Sequence, residues 1–232
     1  MSEQLALGLG PDKFLTFENF YVIGSNRLLV NQLGLQARGE GEQWVMVHGG
    51  AESGRSHLLQ ASCQAAAAAG RVASYLPLRE MGDYSPADVL AGAESLDLLC
   101  LDDVDIVMGR ADWEEALFHL YNRAVLSGTA LLLSSLRPAS GMDCALPDLR
   151  SRLASFSVYQ LHAVSDEERL QALVFRAEGL GMELTAEVAD YLYHRAARNL
   201  AALFQILEQL DRESLRHQRA LTKPFVKSVM GW

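Results

Sequence analysis

The chain has 232 residues, half of them apolar, and a formal net charge of −9. That length accommodates one α/β domain of moderate size plus a small second one, with enough apolar material for a sizeable core. Scattered basic residues on an acidic chain exclude the electrostatic footprint of a stand-alone nucleic-acid binder. No apolar run approaches membrane-spanning length, and the N-terminus lacks the basic start and apolar core of a signal peptide. Cys63, Cys100 and Cys144 have no paired spacing for zinc or for a disulfide framework. Cys63 and Cys100 fall in apolar patterns and read as reduced core residues, which predicts a soluble, cytoplasmic protein.

In chain order, the first predicted helix covers Leu28–Gln36, and the first strand covers Val45–Val47. The apolar run Trp44-Val45-Met46-Val47 leads through His48 into Gly49-Gly50-Ala51-Glu52-Ser53-Gly54-Arg55-Ser56, and a helical stretch, Ser56–Ala69, follows. Strand, glycine-rich loop and helix in that order are the setting of a P-loop. Glycines let consecutive backbone N–H groups curl around a polyphosphate, and the helix start adds unpaired amides and a positive dipole end. The candidate phosphate-binding residues are therefore Gly49, Gly50, Ala51, Glu52, Ser53, Gly54, Arg55, Ser56 and His57. Arg55 stands where a lysine is expected, and a planar fork is not equivalent to a compact ammonium. The pattern predicts nucleotide binding with weak intrinsic hydrolysis. A glycine-rich turn between a strand and a helix would carry the same letters, so a second motif must decide.

Further strands are predicted at Val72–Leu76, Leu98–Leu101, Leu131–Ser134 and Val158–Leu161, with helices at Pro86–Ala93 and Trp113–Ser127. Alternation of this kind argues for an α/β fold, a parallel sheet flanked by helices, with ligands beyond the C-terminal strand ends. The run Leu98-Leu99-Cys100-Leu101-Asp102-Asp103 ends an apolar strand in two carboxylates, the pattern of a Walker B strand. There the first acid, with Ser56, would hold Mg²⁺, and the second would polarise the attacking water. Aspartate at 103 in place of glutamate is one methylene short, a second sign of weak turnover. His48 and His57 flank the loop, and neither is assigned a catalytic role.

After Ala163 the pattern becomes purely helical. Ser165-Asp166-Glu167-Glu168 is a capped helix start, followed by helices near Asp166–Leu180, Ala186–Ala196, Leu200–Gln218 and Lys223–Met230. The expected organisation is a flexible N-terminal segment at 1–12, a nucleotide-binding base domain at 13–163 and a helical lid at 164–232.

With both motifs in view, the chain resembles the AAA+ ATPase region of the bacterial replication initiator DnaA. Among DnaA homologues it looks closest to the Hda family, short relatives that inactivate the initiator. Thr16-Phe17-Glu18-Asn19-Phe20-Tyr21-Val22-Ile23-Gly24 is similar to the segment that walls the nucleotide base, with Phe20 and Val22 as the implied base contacts. Leu131-Leu132-Leu133-Ser134-Ser135-Leu136-Arg137-Pro138 resembles the sensor 1 strand, although Leu136 stands where an acid is usual. Leu146-Pro147-Asp148-Leu149-Arg150-Ser151-Arg152-Leu153 resembles the box carrying the arginine finger, with Arg152 in the finger position. Arg198 matches the sensor 2 arginine of the lid, and Gln4-Leu5-Ala6-Leu7-Gly8-Leu9 resembles a clamp-binding peptide. In such a peptide Gln4 makes directed hydrogen bonds while Leu5, Leu7 and Leu9 fill an apolar pocket.

The resemblance implies a bound adenine nucleotide, ADP before ATP, with Mg²⁺ at Ser56 and Asp102 where it is present. Its implied partners are a DnaA-type initiator and the DNA polymerase sliding clamp, with further copies of the chain in AAA+ head-to-tail association. The chain stops at Trp232, which leaves the initiator's helix-turn-helix no room and predicts no sequence-specific DNA binding. Arg152, supplied to ATP on the initiator, would make the chain an activator of its partner's ATPase. Two other readings stay open: a self-sufficient AAA+ ATPase, and a clamp-recruited adaptor or helicase-loader-like module without finger activity.

Overall fold

The computed structural model describes residues 15–196 and 200–232, which form two compact units divided between His162 and Ala163. In the first unit a parallel sheet of five strands runs in the order β2-β3-β4-β1-β5. The strands are β1 (Trp44–His48), β2 (Ala73–Pro77), β3 (Leu98–Asp102), β4 (Ala130–Ser135) and β5 (Ser157–Gln160). The connecting helices are α1 (Arg27–Arg38), α2 (Arg55–Ala68), α3 (Leu78–Met81), α4 (Pro86–Val89), α5 (Ala111–Ser127) and α6 (Pro147–Leu153).

β3 and β4 are buried along their full length, as expected of parallel strands covered on both faces. Side chains alternate between two cores. Val45, Val47, Leu98, Cys100 and Leu132 pack with Leu29 and Leu33 of α1 and with Leu58, Leu59 and Cys63 of α2. Met46, Leu99, Leu101, Leu131 and Leu133 pack on the other face with Trp113, Leu117 and Leu120 of α5 and with Leu149 and Leu153 of α6. Each fully buried leucine contributes roughly 1.5–3 kcal/mol. The period of two therefore fixes which strand residues face α2, and with them the floor of the glycine loop.

The second unit is helical: α7 (Asp166–Gly179), α8 (Ala186–Arg195), α9 (Leu200–His217) and α10 (Lys223–Met230). α7 starts at a capping box, in which Ser165 accepts from the Glu168 amide and the Glu168 carboxylate accepts from the Ser165 amide. Thr185 and Thr222 cap α8 and α10 in the same side-chain-to-amide manner. Leu173, Leu192, Leu203, Leu207, Leu210 and Val226 form this unit's own core.

Two local expectations are corrected. The helix expected over Pro86–Ala93 ends at Val89, because Gly92 adopts φ 73° and a separate 3-10 turn follows at Ala93–Ser95. Helix α3 was not anticipated, since four residues after Pro77 are too few to show a period. All three cysteines are buried and free, and burial raises the Cys100 thiol well above its ordinary value. No helix of the described residues is long and apolar enough to cross a membrane.

Candidate functional site

The glycine loop joins the end of β1 to the start of α2, at the C-terminal edge of the sheet. Three of its positions depend on backbone freedom or close approach. Gly54 caps α2 at φ 98°, and a Cβ there would lie 2.7 Å from the Phe20 ring. A Cβ on Gly49 would lie 2.6 Å from the Leu161 carbonyl oxygen. Glu52, with φ 62°, is in the left-handed region without being glycine, a strained conformation for a side chain of that length. Gly50 is different: a Cβ there meets nothing within 4 Å, so its face of the loop is open.

Two buried polar groups of the loop lack a hydrogen-bond partner, Ser53 Oγ and Arg55 Nη1, in residues only 6% and 8% exposed. Buried orphans of this kind are rare and call for a ligand or water. Together with the amides at the start of α2, they suit a polyphosphate. Ser56 is exposed on the first turn of α2, and Ala51 and Glu52 are exposed at the loop tip.

The other predicted residues fall in different places. Phe20 is half-buried against Gly54 and packs edge-on to His57, ring centroids 5.2 Å apart. His57 Nε2 lies 2.7 Å from the Thr16 carbonyl, which turns its ring toward the preceding segment. Val22 is exposed. Burial and neighbouring His162 lower the pKa of His48, and nothing in its contacts gives it a chemical role. Gln4, Leu5, Leu7, Leu9 and Arg198 lie outside the described residues.

Asp102 and Asp103 do stand beside the loop, but both are engaged by protein groups. Asp102 Oδ2 accepts from the Tyr75 hydroxyl at 2.7 Å, and Oδ1 accepts from the Ser134 hydroxyl. The Tyr75 hydroxyl is thereby held against Asp102, and its ring packs on the core that includes α2. Burial, followed by the Asp102 charge, pushes the phenol far above its usual value and keeps it protonated. Asp103 sits at φ 55°, a conformation aspartate tolerates better than most residues. Its amide donates to Ser134 Oγ at 2.9 Å. Its carboxylate lies 2.9 Å from Arg55 Nη2 and 3.0 Å from Arg79 Nε. The Arg55 contact is an ion pair that falls short of hydrogen-bond alignment, which is why Asp103 Oδ1 remains without a hydrogen-bond donor. These donors do not fit a divalent cation held by Ser56 and Asp102: a phenolic O–H occupies the carboxylate oxygen and two guanidinium groups line the adjacent one.

Tyr75, Ser134 and Arg79 were missed in the sequence. The first two had a readable signal. Tyr75 pairs in register with Cys100, two residues before Asp102, and β4 pairs with β3 on its other side. Counting in twos puts Tyr75, Asp102 and Ser134 on the face that α2 covers.

Arg152 lies well apart in sequence, on α6, whose first residue is Pro147. It is exposed, with its guanidinium 5.3 Å from the Tyr121 ring centroid. The segment entering α6 is fixed by Glu114, a residue only 1% exposed. Its carboxylate accepts from the amides of Gly109 (2.7 Å), Ala145 (2.9 Å) and Leu146 (2.7 Å). Burial alone would raise the Glu114 pKa, but the three amides outweigh it and hold the group below its ordinary range. Arg150 adds a hydrogen bond from its guanidinium to the Cys144 carbonyl.

Residues 166–230 match the family model described as the Hda lid domain. Among solved structures, the chain is similar to domain III of the Thermotoga maritima replication initiation protein DnaA, at 21% identity and a TM-score of 0.74, covering 95% of this chain and 97% of that one. It is also similar to AMPPCP-bound DnaA from Aquifex aeolicus, at 23% identity and a TM-score of 0.70, over 90% of this chain and 71% of that one. The Thermotoga maritima RuvB Holliday junction branch migration motor shares the fold more distantly, at 15% identity and a TM-score of 0.63, over 93% of this chain and 73% of that one. The fold is thus that of these DnaA and RuvB structures, a parallel sheet flanked by helices, and residues 166–230 are helical.

Proposed function

We propose, from the premise that this is an Hda-like AAA+ chain, that it is a nucleotide-bound regulator of a DnaA-type initiator. With the DNA-loaded sliding clamp it stimulates ATP hydrolysis by the initiator in the cytoplasm, and so limits re-initiation of replication. The observation that carries this reading is the Hda lid match at residues 166–230 on a DnaA-type fold.

Amides from Gly50 to Ser56, with Ser53 Oγ and Arg55, bind the phosphates of an adenine nucleotide, ADP in the resting state. Phe20 and Val22 wall the base. The nucleotide acts as a structural ligand: whatever binds only the folded chain stabilises it. Gln4, Leu5, Leu7 and Leu9 bind the clamp, which raises the local concentration of the chain at loaded DNA. Arg152 is the group offered to the partner. In the initiator's site it stabilises charge developing on the transferred phosphoryl oxygens, an effect worth on the order of 10³–10⁵ in rate.

The arrangement of the chain's own acids supports this over a self-sufficient ATPase. A water-activating carboxylate needs an oxygen available to the water, and Asp103 lies against two guanidinium groups instead. The test compares ATP turnover by the chain alone with turnover by an initiator, clamp and DNA, with and without the chain. Negligible turnover alone and clear stimulation of the initiator are expected. Brisk turnover alone would favour the ATPase reading, and clamp binding without stimulation would leave an adaptor.

A further inference from the structure

We propose that this pocket takes a nucleoside diphosphate free of divalent cation, with Arg55 supplying the counter-charge and Tyr75 closing the metal position. This rests on the nucleotide-site reading above and concerns which ionic form of the ligand the site accepts.

A P-loop cation site needs an unobstructed line between the hydroxyl that opens the helix and the first acid of the neighbouring strand. Here those groups are Ser56 and Asp102, and the Tyr75 hydroxyl donates to Asp102 Oδ2 at 2.7 Å. Tyr75 directs its proton at Asp102 Oδ2, while Ser134 directs its own at Oδ1. Each oxygen thus accepts from a neutral hydroxyl, and a cation entering at Asp102 would have to turn or displace those donors.

The second acid gives no alternative anchor. Asp103 is already matched by two guanidiniums, those of Arg55 and Arg79. A divalent cation entering there meets the buried guanidinium of Arg55 and, on the solvent side, that of Arg79. A phosphate oxygen meets the reverse. Arg55 Nη1 is buried and without a partner, while the same guanidinium's Nη2 is held on Asp103. Arginine suits this double duty, since its fork presents separate donors to two anions where lysine is a point charge. The cation that replaces the usual lysine thus takes over work that Mg²⁺ does elsewhere.

Calorimetric titration of the full chain with ADP, in excess EDTA and in excess MgCl₂, tests this directly. The expected Kd differs by less than about twofold between the two buffers. Tyr75→Phe removes only the hydroxyl and frees Asp102 Oδ2, so ADP binding by this variant should tighten about fivefold or more with MgCl₂. Tightening of the native chain by about tenfold or more with MgCl₂ would overturn the inference and leave the nucleotide site standing. Equal affinities for Tyr75→Phe in both buffers would overturn the role given to Tyr75. Absence of ADP binding in either buffer would overturn the nucleotide site together with the inference.

Discussion

Arg55 and Asp103 meet at 2.9 Å, Nη2 to Oδ1, with their side chains only 9% and 12% exposed. The cation of the glycine loop and the second acid of the β3 edge are therefore partners of each other. A buried pair gains little over an apolar replacement, but removing one member strands the other charge. Asp103→Asn, which keeps tolerance of the left-handed backbone, should destabilise the chain by about 3–5 kcal/mol. Pairing it with Arg55→Met should recover most of that loss. Urea denaturation of both single variants and the double variant measures both effects; a double-variant loss equal to the sum of the two single losses would show that the pair is not energetically coupled.

Glu114 should make the arginine-bearing helix sensitive to acid. Its folded pKa lies below the ordinary 4.5 because three amides donate to the carboxylate. A depressed pKa stabilises the folded state fully above the unfolded value, and that contribution is lost as pH falls through the folded value. Glu114→Gln should cost about 2–3 kcal/mol at pH 7, by weakening hydrogen bonds to a charged acceptor. The difference from the native chain should shrink as pH is lowered below 4.5. Melting curves across that range check both the size and the direction.

The loop glycines should divide into two kinds. Gly54→Ala must place a Cβ 2.7 Å from Phe20 at φ 98°, and should cost about 1–3 kcal/mol along with much of the nucleotide affinity. At Gly50 a Cβ meets nothing within 4 Å, so Gly50→Ala should leave unliganded stability within about 0.5 kcal/mol. Any ADP effect at Gly50 would then come from the phosphate face alone. Equal destabilisation by the two alanines would contradict the loop geometry.

The α/β framework was legible because β1, β3 and β4 are continuous apolar runs, and because Ser165 with Glu168 spells a helix start. The glycine loop and the acids were legible as local strings. Their partners were not, for a topological reason: Tyr75 and Ser134 reach Asp102 only because β2 and β4 flank β3 in the sheet. In the sequence Tyr75 reads as one more core aromatic, and Ser134 as a polar interruption of an apolar strand. Arg79 lies within the four residues of α3, too short a helix to betray its facing. The Mg²⁺ expected at Ser56 and Asp102 came from a local pattern, and the residues that argue against it lie on other strands.

The central claim is that Arg152 acts on a partner's nucleotide, and single-turnover hydrolysis of ATP on a DnaA-type initiator, with clamp-loaded DNA, tests it most directly. Native chain should stimulate the reaction, while Arg152→Ala should lose the stimulation by about 10³-fold or more yet keep its own melting temperature and clamp binding. Arg150→Ala, whose guanidinium is spent on the Cys144 carbonyl, should retain most of it. Full stimulation by Arg152→Ala would contradict the account and remove Arg152 from the chemistry.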